Sequence, residues 1–222
     1  MALSRLPNPN IEDFSQALST MNSAKILCFA CSCTERLRPA IKHFWVEEDC
    51  NTILSIIDMG WDLSIHGSLP TSQLHYIDIL QMSIDKARQL NGENVILLPL
   101  LKDALASVFY MLHYTLSVDV TFASLCAQRV HNSADWLACE LFGFGKRLRV
   151  DKKVLLSSAP VRLELQKQWR DLKLLQVTPL DTYLMQQIRA DAQVVGGQLM
   201  RFLQEYLKQR GIDFETRGDL YL

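Results

Sequence analysis

Apolar residues recur along the chain at a period near 3.6, and helix-starting and helix-stopping residues separate the periodic stretches. Asn10 caps a first helix carrying Ile11, Phe14 and Leu18. Ser23 caps a second, which runs through a cysteine cluster and is expected to stop near Pro39, where the backbone donor is missing. Asp49 is a good N-cap for a third helix with the stripe Ile53, Ile57 and Trp61, flanked by Leu54 and Ile65. Thr71, directly after Pro70, opens a fourth that carries Leu74, Ile77, Leu80, Ile84 and Ala87 to a stop at Asn91-Gly92.

The fifth helix starts near Glu93 or Asn94, with Pro99 in its first turns, where a missing N–H costs least. Its wide stripe of Leu98, Leu101, Leu105, Phe109, Leu112 and Leu116 marks it as the expected central helix. Asp119 caps the sixth, which ends at Gly143-Phe144-Gly145, and a basic loop follows. Ser158 with Pro160 starts a seventh through Gln176, and Thr178-Pro179 opens the last, which ends at Gly211. Gly196-Gly197 in its middle predicts a kink or a close helix contact. No strand-period stretch of useful length occurs before the tail after Ile212, and no linker or repeat divides the chain. The expected fold is all-α: a single domain over residues 1–222, a bundle of seven or eight helices.

Composition narrows the class without changing the fold. A hydrophobic fraction of 49%, with only 9 Gly and 7 Pro, excludes a collagen-like or disordered chain. Met1 to Asn10 has no apolar signal region, and the longest apolar run, Val95–Leu101, is too short to span a membrane. The 6 cysteines (positions 28, 31, 33, 50, 126 and 139) are not needed as staples at this length, so a reduced, cytoplasmic protein is expected.

Candidate chemistry is sparse. Cys28-x-x-Cys31-x-Cys33 has metal-like spacing, but no second cysteine or histidine pair completes a zinc set, and core packing is the preferred reading. His131, Asp135 and Cys139 recur every four residues on one helical face, beside an apolar stripe. Gly143-Phe144-Gly145-Lys146-Arg147 lacks the phosphate-loop spacing, and no nucleophile elbow, zincin motif or paired catalytic carboxylates occur. Neither an enzyme nor a cofactor is expected. A metal-dependent or redox enzyme using these Cys and His positions is the rival reading.

Charge placement says more. The net charge of −1 conceals a net −5 over residues 1–135 and +4 over 136–222. From His43 to Asp85 there are seven acids and no Lys or Arg, whereas residues 146–173 hold nine bases against three acids. The acidic stretch suits capture of a basic partner protein, with Glu47, Glu48, Asp58 and Asp62 as the expected contact residues and Trp45 and Trp61 as candidate anchors. The basic stretch has little aromatic interleaving and no reader motif, so nucleic acid is a minor alternative. The leading expectation is a cytoplasmic immunity protein that neutralises a cognate toxin or effector, such as one delivered by type VI secretion, by occlusion. A homodimer is left open.

Three segments carry a family resemblance. Phe29-Ala30-Cys31-Ser32-Cys33-Thr34-Glu35-Arg36-Leu37-Arg38-Pro39 resembles the Cys-Glu-Arg-Met-x-Pro segment of the small all-helical bacterial proteins typified by YjaG, with Thr34 interrupting the order. Pro99-Leu100-Leu101-Lys102-Asp103-Ala104 is similar to that family's Pro-x-x-Asp-Ala helix start, with one extra residue. Glu164 to Leu175, with Gln168-Trp169, is similar to its penultimate helix. The segments keep the family's order over about two thirds of the chain. The family has no assigned function, so the resemblance implies the helical fold and an adaptor-like existence, and no active site.

Overall fold

In the computed structural model, residues 11–45, 48–67, 74–89, 97–142 and 152–212 are described. They form α1 (Ile11–Leu18), α2 (Ser23–Phe44), α3 (Cys50–His66), α4 (His75–Gln89), α5 (Leu98–Ser117), α6 (Val120–Leu141), α7 (Lys152–Ser157), α8 (Ala159–Val177) and α9 (Thr182–Gln209). No strand occurs among the described residues, and the fold is an all-α bundle. The count exceeds the expected seven or eight because α7 lies in the stretch read as a basic loop. The expected stops at Asn91-Gly92 and Gly143-Phe144-Gly145 fall outside the described residues.

Local chemistry explains three of the helix starts. Asn22, rather than Ser23, caps α2, its Oδ1 accepting from the Lys25 N–H at 3.0 Å. Asp119 caps α6 by accepting from the Thr121 N–H, and Asp181 caps α9 by accepting from the Leu184 N–H. Asp49 sits at the N-cap of α3 without capping it. Its carboxylate accepts instead from Trp45 Nε1 at 2.8 Å and from Ser83 Oγ, tying the start of α3 to α2 and α4.

The central helix is α2. It packs against α3, α5, α6, α8 and α9, and every residue from Ile26 to Leu37 is buried, so the element has no solvent face over three turns. It also continues through Pro39 to Phe44, beyond the stop expected from the sequence. Pro39 withholds the N–H that would bond the Glu35 carbonyl. Burial of Ala40, Ile41 and Phe44 beyond it outweighs that loss. The α5 stripe is centred on Leu101, Ala104, Leu105, Val108 and Leu112, while Leu116 at its end is exposed.

Gly196 allows α9 to reach α2. A Cβ built there would lie 2.8 Å from the Arg36 carbonyl oxygen, so the two backbones approach more closely than any other residue permits. The adjacent Gly197 faces open space. The close helix contact read from this glycine pair is therefore made by its first member. No helix among the described residues is long and apolar enough to cross a membrane.

Candidate functional site

Two neutral charge clusters sit back to back on α2. Residues 32 and 36 lie one turn apart and face α8, while residues 35 and 38 face α3 and α9. In the inner cluster, Arg36 Nη2 donates to Glu164 Oε1 at 2.8 Å, and its Nη1 lies 3.4 Å from Asp171 Oδ2. Ser32 Oγ donates to the same Asp171 oxygen at 2.6 Å and accepts from Arg36 Nη1 at 3.0 Å. Lys167 pairs with Asp171 one turn along α8, and Gln168 Nε2 donates to Glu164 Oε1 at 2.6 Å and to the Ala127 carbonyl at 3.0 Å. The four ionised side chains, Arg36, Glu164, Lys167 and Asp171, are all buried and sum to zero.

The outer cluster opens toward solvent. Glu35 is buried, its Oε2 accepting from Trp61 Nε1 at 2.9 Å and its Oε1 from Gln193 Nε2 at 3.0 Å. Arg38 and Arg189 lie 3.7 and 3.8 Å from Glu35 Oε2. Both also hold Asp58: Arg38 donates through Nη1 and Nη2 at 2.6 and 3.0 Å in a two-pronged pair, and Arg189 binds Oδ1. Arg189 also stands over the Trp61 ring at 5.7 Å. Glu35, Arg38, Asp58 and Arg189 again sum to zero.

The electrostatics follow from this placement. Burial acts to lower the Arg36 pKa, and the Glu164 and Asp171 carboxylates and the Cys33 sulfur more than reverse it. The Lys167 pKa is lowered, mainly by burial, with Asp171 opposing. The hydrogen bond from Arg38 holds the Asp58 carboxyl below its ordinary value. Asp103 differs: burial raises it to about 6, although Arg129 Nη1 approaches at 3.3 Å and Ser133 Oγ donates at 3.3 Å.

The sequence-predicted site residues have separate fates. Glu47 lies outside the described residues. Glu48, in the turn before α3, and Asp62, on α3, are both exposed, and neither has an ion-pair partner among the described residues. Asp58 lies on α3 one turn before Asp62, but its charge is spent on Arg38 and Arg189. Trp45 and Trp61 are buried and cannot anchor a partner. The acidic patch is therefore smaller than the sequence count suggests.

Four of the six cysteines are core residues. Cys28, Cys31, Cys33 and Cys126 are fully buried, and all six are free. Burial pushes the Cys28 and Cys33 thiols up to about 12 and those of Cys31 and Cys126 well above their ordinary value. Cys33 Sγ accepts from Arg36 Nη2 at 3.2 Å. No group of three or more His, Cys, Asp or Glu among the described residues is arranged to hold a metal ion. His131 and Asp135 do share a face, with His131 Nε2 3.5 Å from Asp135 Oδ2, at the core edge beside a half-buried Cys139. On α8, Lys167 is buried in the inner cluster and the exposed Arg170 pairs with Asp191 at 2.9 Å, while Arg162 and Lys173 are exposed with no ion pair among the described residues.

Sequence reasoning missed the clusters themselves. Their signal was Glu35-Arg36 at the end of the apolar and cysteine-rich run from Ile26 to Cys33, answered by Glu164, Lys167 and Asp171 on a second helix at one-turn spacing. Two of the three segments with a family resemblance thus meet in the core. No family model, no curated protein and no solved structure matches the chain.

Proposed function

We propose that the chain is a protein-binding module that captures a basic partner through the exposed edge of α3, acting in the cytoplasm as an immunity protein that occludes a toxin or secreted effector. The observation that carries this reading is the pair of exposed, unneutralised acids at α3, Glu48 in the turn before it and Asp62 on it, with the helix anchored in the core by Ile53, Ile57 and Trp61. A rigid helix presenting fixed charges steers a complementary partner and raises its association rate more than its final affinity. The ionised side chains of the two core clusters are neutralised by one another, which suits a binding scaffold and leaves the surface acids to act on a partner. Glu48 and Asp62, rather than Asp58, are the partner-contacting acids in this reading.

The test is association kinetics with the product of the neighbouring gene, combined with protection of cells that express it. Glu48→Lys with Asp62→Lys should slow association about tenfold or more at low salt and weaken protection, and added salt should shrink the difference. Unchanged association at low salt would show that this edge is not the docking surface.

A further inference from the structure

A second surface feature lies on different helices, between α8 and α9. Two turns of each helix line an open cavity there of about 410 Å³. Its apolar lining comes from Leu163 on α8 and Phe202 on α9, both half-buried against the main core. Arg162 and Arg201 stand on opposite walls, one from each helix, and both are exposed. Neither has an ion-pair partner among the described residues, in contrast to Arg36, Arg38, Arg129, Arg170 and Arg189, whose guanidinium groups are all paired. Glu205 also lines the cavity, one turn beyond Arg201, and makes no ion pair with it.

We propose that this cavity binds a small anionic amphiphile: one carboxylate or phosphate head held between Arg162 and Arg201, with a short apolar body on Leu163 and Phe202. The volume falls within the range of small-molecule sites, roughly 300–1,000 Å³, and an apolar floor with a few convergent polar groups is their usual composition. Each guanidinium offers the planar, two-pronged donor pair that carboxylate and phosphate oxygens accept, and one comes from each wall. The single carboxylate of Glu205 leaves the cavity net positive by one charge, which fits one anionic head and disfavours a cationic one. Two turns of helix span about 11 Å, which limits the apolar body to a short chain or a single ring.

The probe is octyl phosphate, kept below its micelle concentration and titrated into the full chain by calorimetry, with octanoate and octyltrimethylammonium in parallel. Binding of one octyl phosphate per chain, weaker or no binding of the cation, and a loss of about tenfold or more in Arg162→Ala/Arg201→Ala support the site. Both arginines are exposed and unpaired, so that variant should retain the wild-type melting curve. Phe202→Leu separates the parts of the site: it should weaken octyl phosphate while leaving the preference over the cation intact. Binding to phosphatidylglycerol vesicles but not to monomeric octyl phosphate would overturn the cavity in favour of a flat electrostatic contact. Equal binding of anion and cation, no saturable binding, or an unchanged affinity in the double-arginine variant would also overturn it.

Discussion

Replacing Arg36 by methionine tests whether the inner cluster holds α2 to α8 by charge. Methionine keeps the length and apolar volume of the arginine stem but removes its charge. The buried set then contains Glu164, Asp171 and Lys167, one carboxylate in excess. Breaking a buried ion pair by removing one partner typically costs about 3–5 kcal/mol, mostly from the charge left behind without compensation. Arg36→Met should lie in that range, because Glu164 and Asp171 are both inaccessible to solvent and lose the guanidinium that bridges them. For a chain of this size the loss lowers Tm by roughly 6–20 °C. Urea unfolding followed by far-UV circular dichroism reads it directly. Adding Glu164→Gln to Arg36→Met restores a neutral set of Lys167 and Asp171. The double variant should therefore lose less stability than the sum of the two single variants by at least about 1 kcal/mol. A cost below about 1 kcal/mol for Arg36→Met, or strict additivity in the cycle, would refute the view that charge balance holds this interface.

Two further predictions concern other elements. Gly196→Ala should destabilise by about 1–3 kcal/mol, because its Cβ meets rigid Arg36 backbone at 2.8 Å, whereas Gly197→Ala, facing open space within the same helix, should stabilise by about 0.5–1 kcal/mol; equal effects in thermal melts would rule out the close contact between α2 and α9. Asp103 is raised from 3.8 to about 6, so the folded state binds a proton more tightly than the unfolded state, and its contribution favours folding below about 3.8 and is lost as pH rises to about 6. The stability difference between wild type and Asp103→Asn should change by up to roughly 3 kcal/mol across that window in a urea series, and a difference independent of pH would contradict the raised value.

The sequence by itself determines that the chain is helical. Helix formation is read from neighbours three and four residues apart and from local caps, and both are written in consecutive residues: the stripe of α3 and the cap Asp119 are visible there, whereas α5 begins at Leu98 rather than near Glu93 or Asn94. The cysteine cluster is likewise legible as core packing. What the sequence leaves open is where charge resides. Arg36 looks like an ordinary surface residue until α8 supplies partners 128 and 135 positions away, and so does Glu35 until α3 and α9 supply Trp61 and Gln193, 26 and 158 positions away. Asp58 counts as a surface acid until Arg189, 131 positions distant, neutralises it. The stop expected at Pro39 fails for the same reason, since the apolar contacts that carry α2 onward come from other helices. The physical cause is common to all three. A helix is stabilised by interactions along the chain, but the cost of burying an ion or a missing hydrogen bond is set by what the folded molecule places against it, and only the tertiary structure decides that.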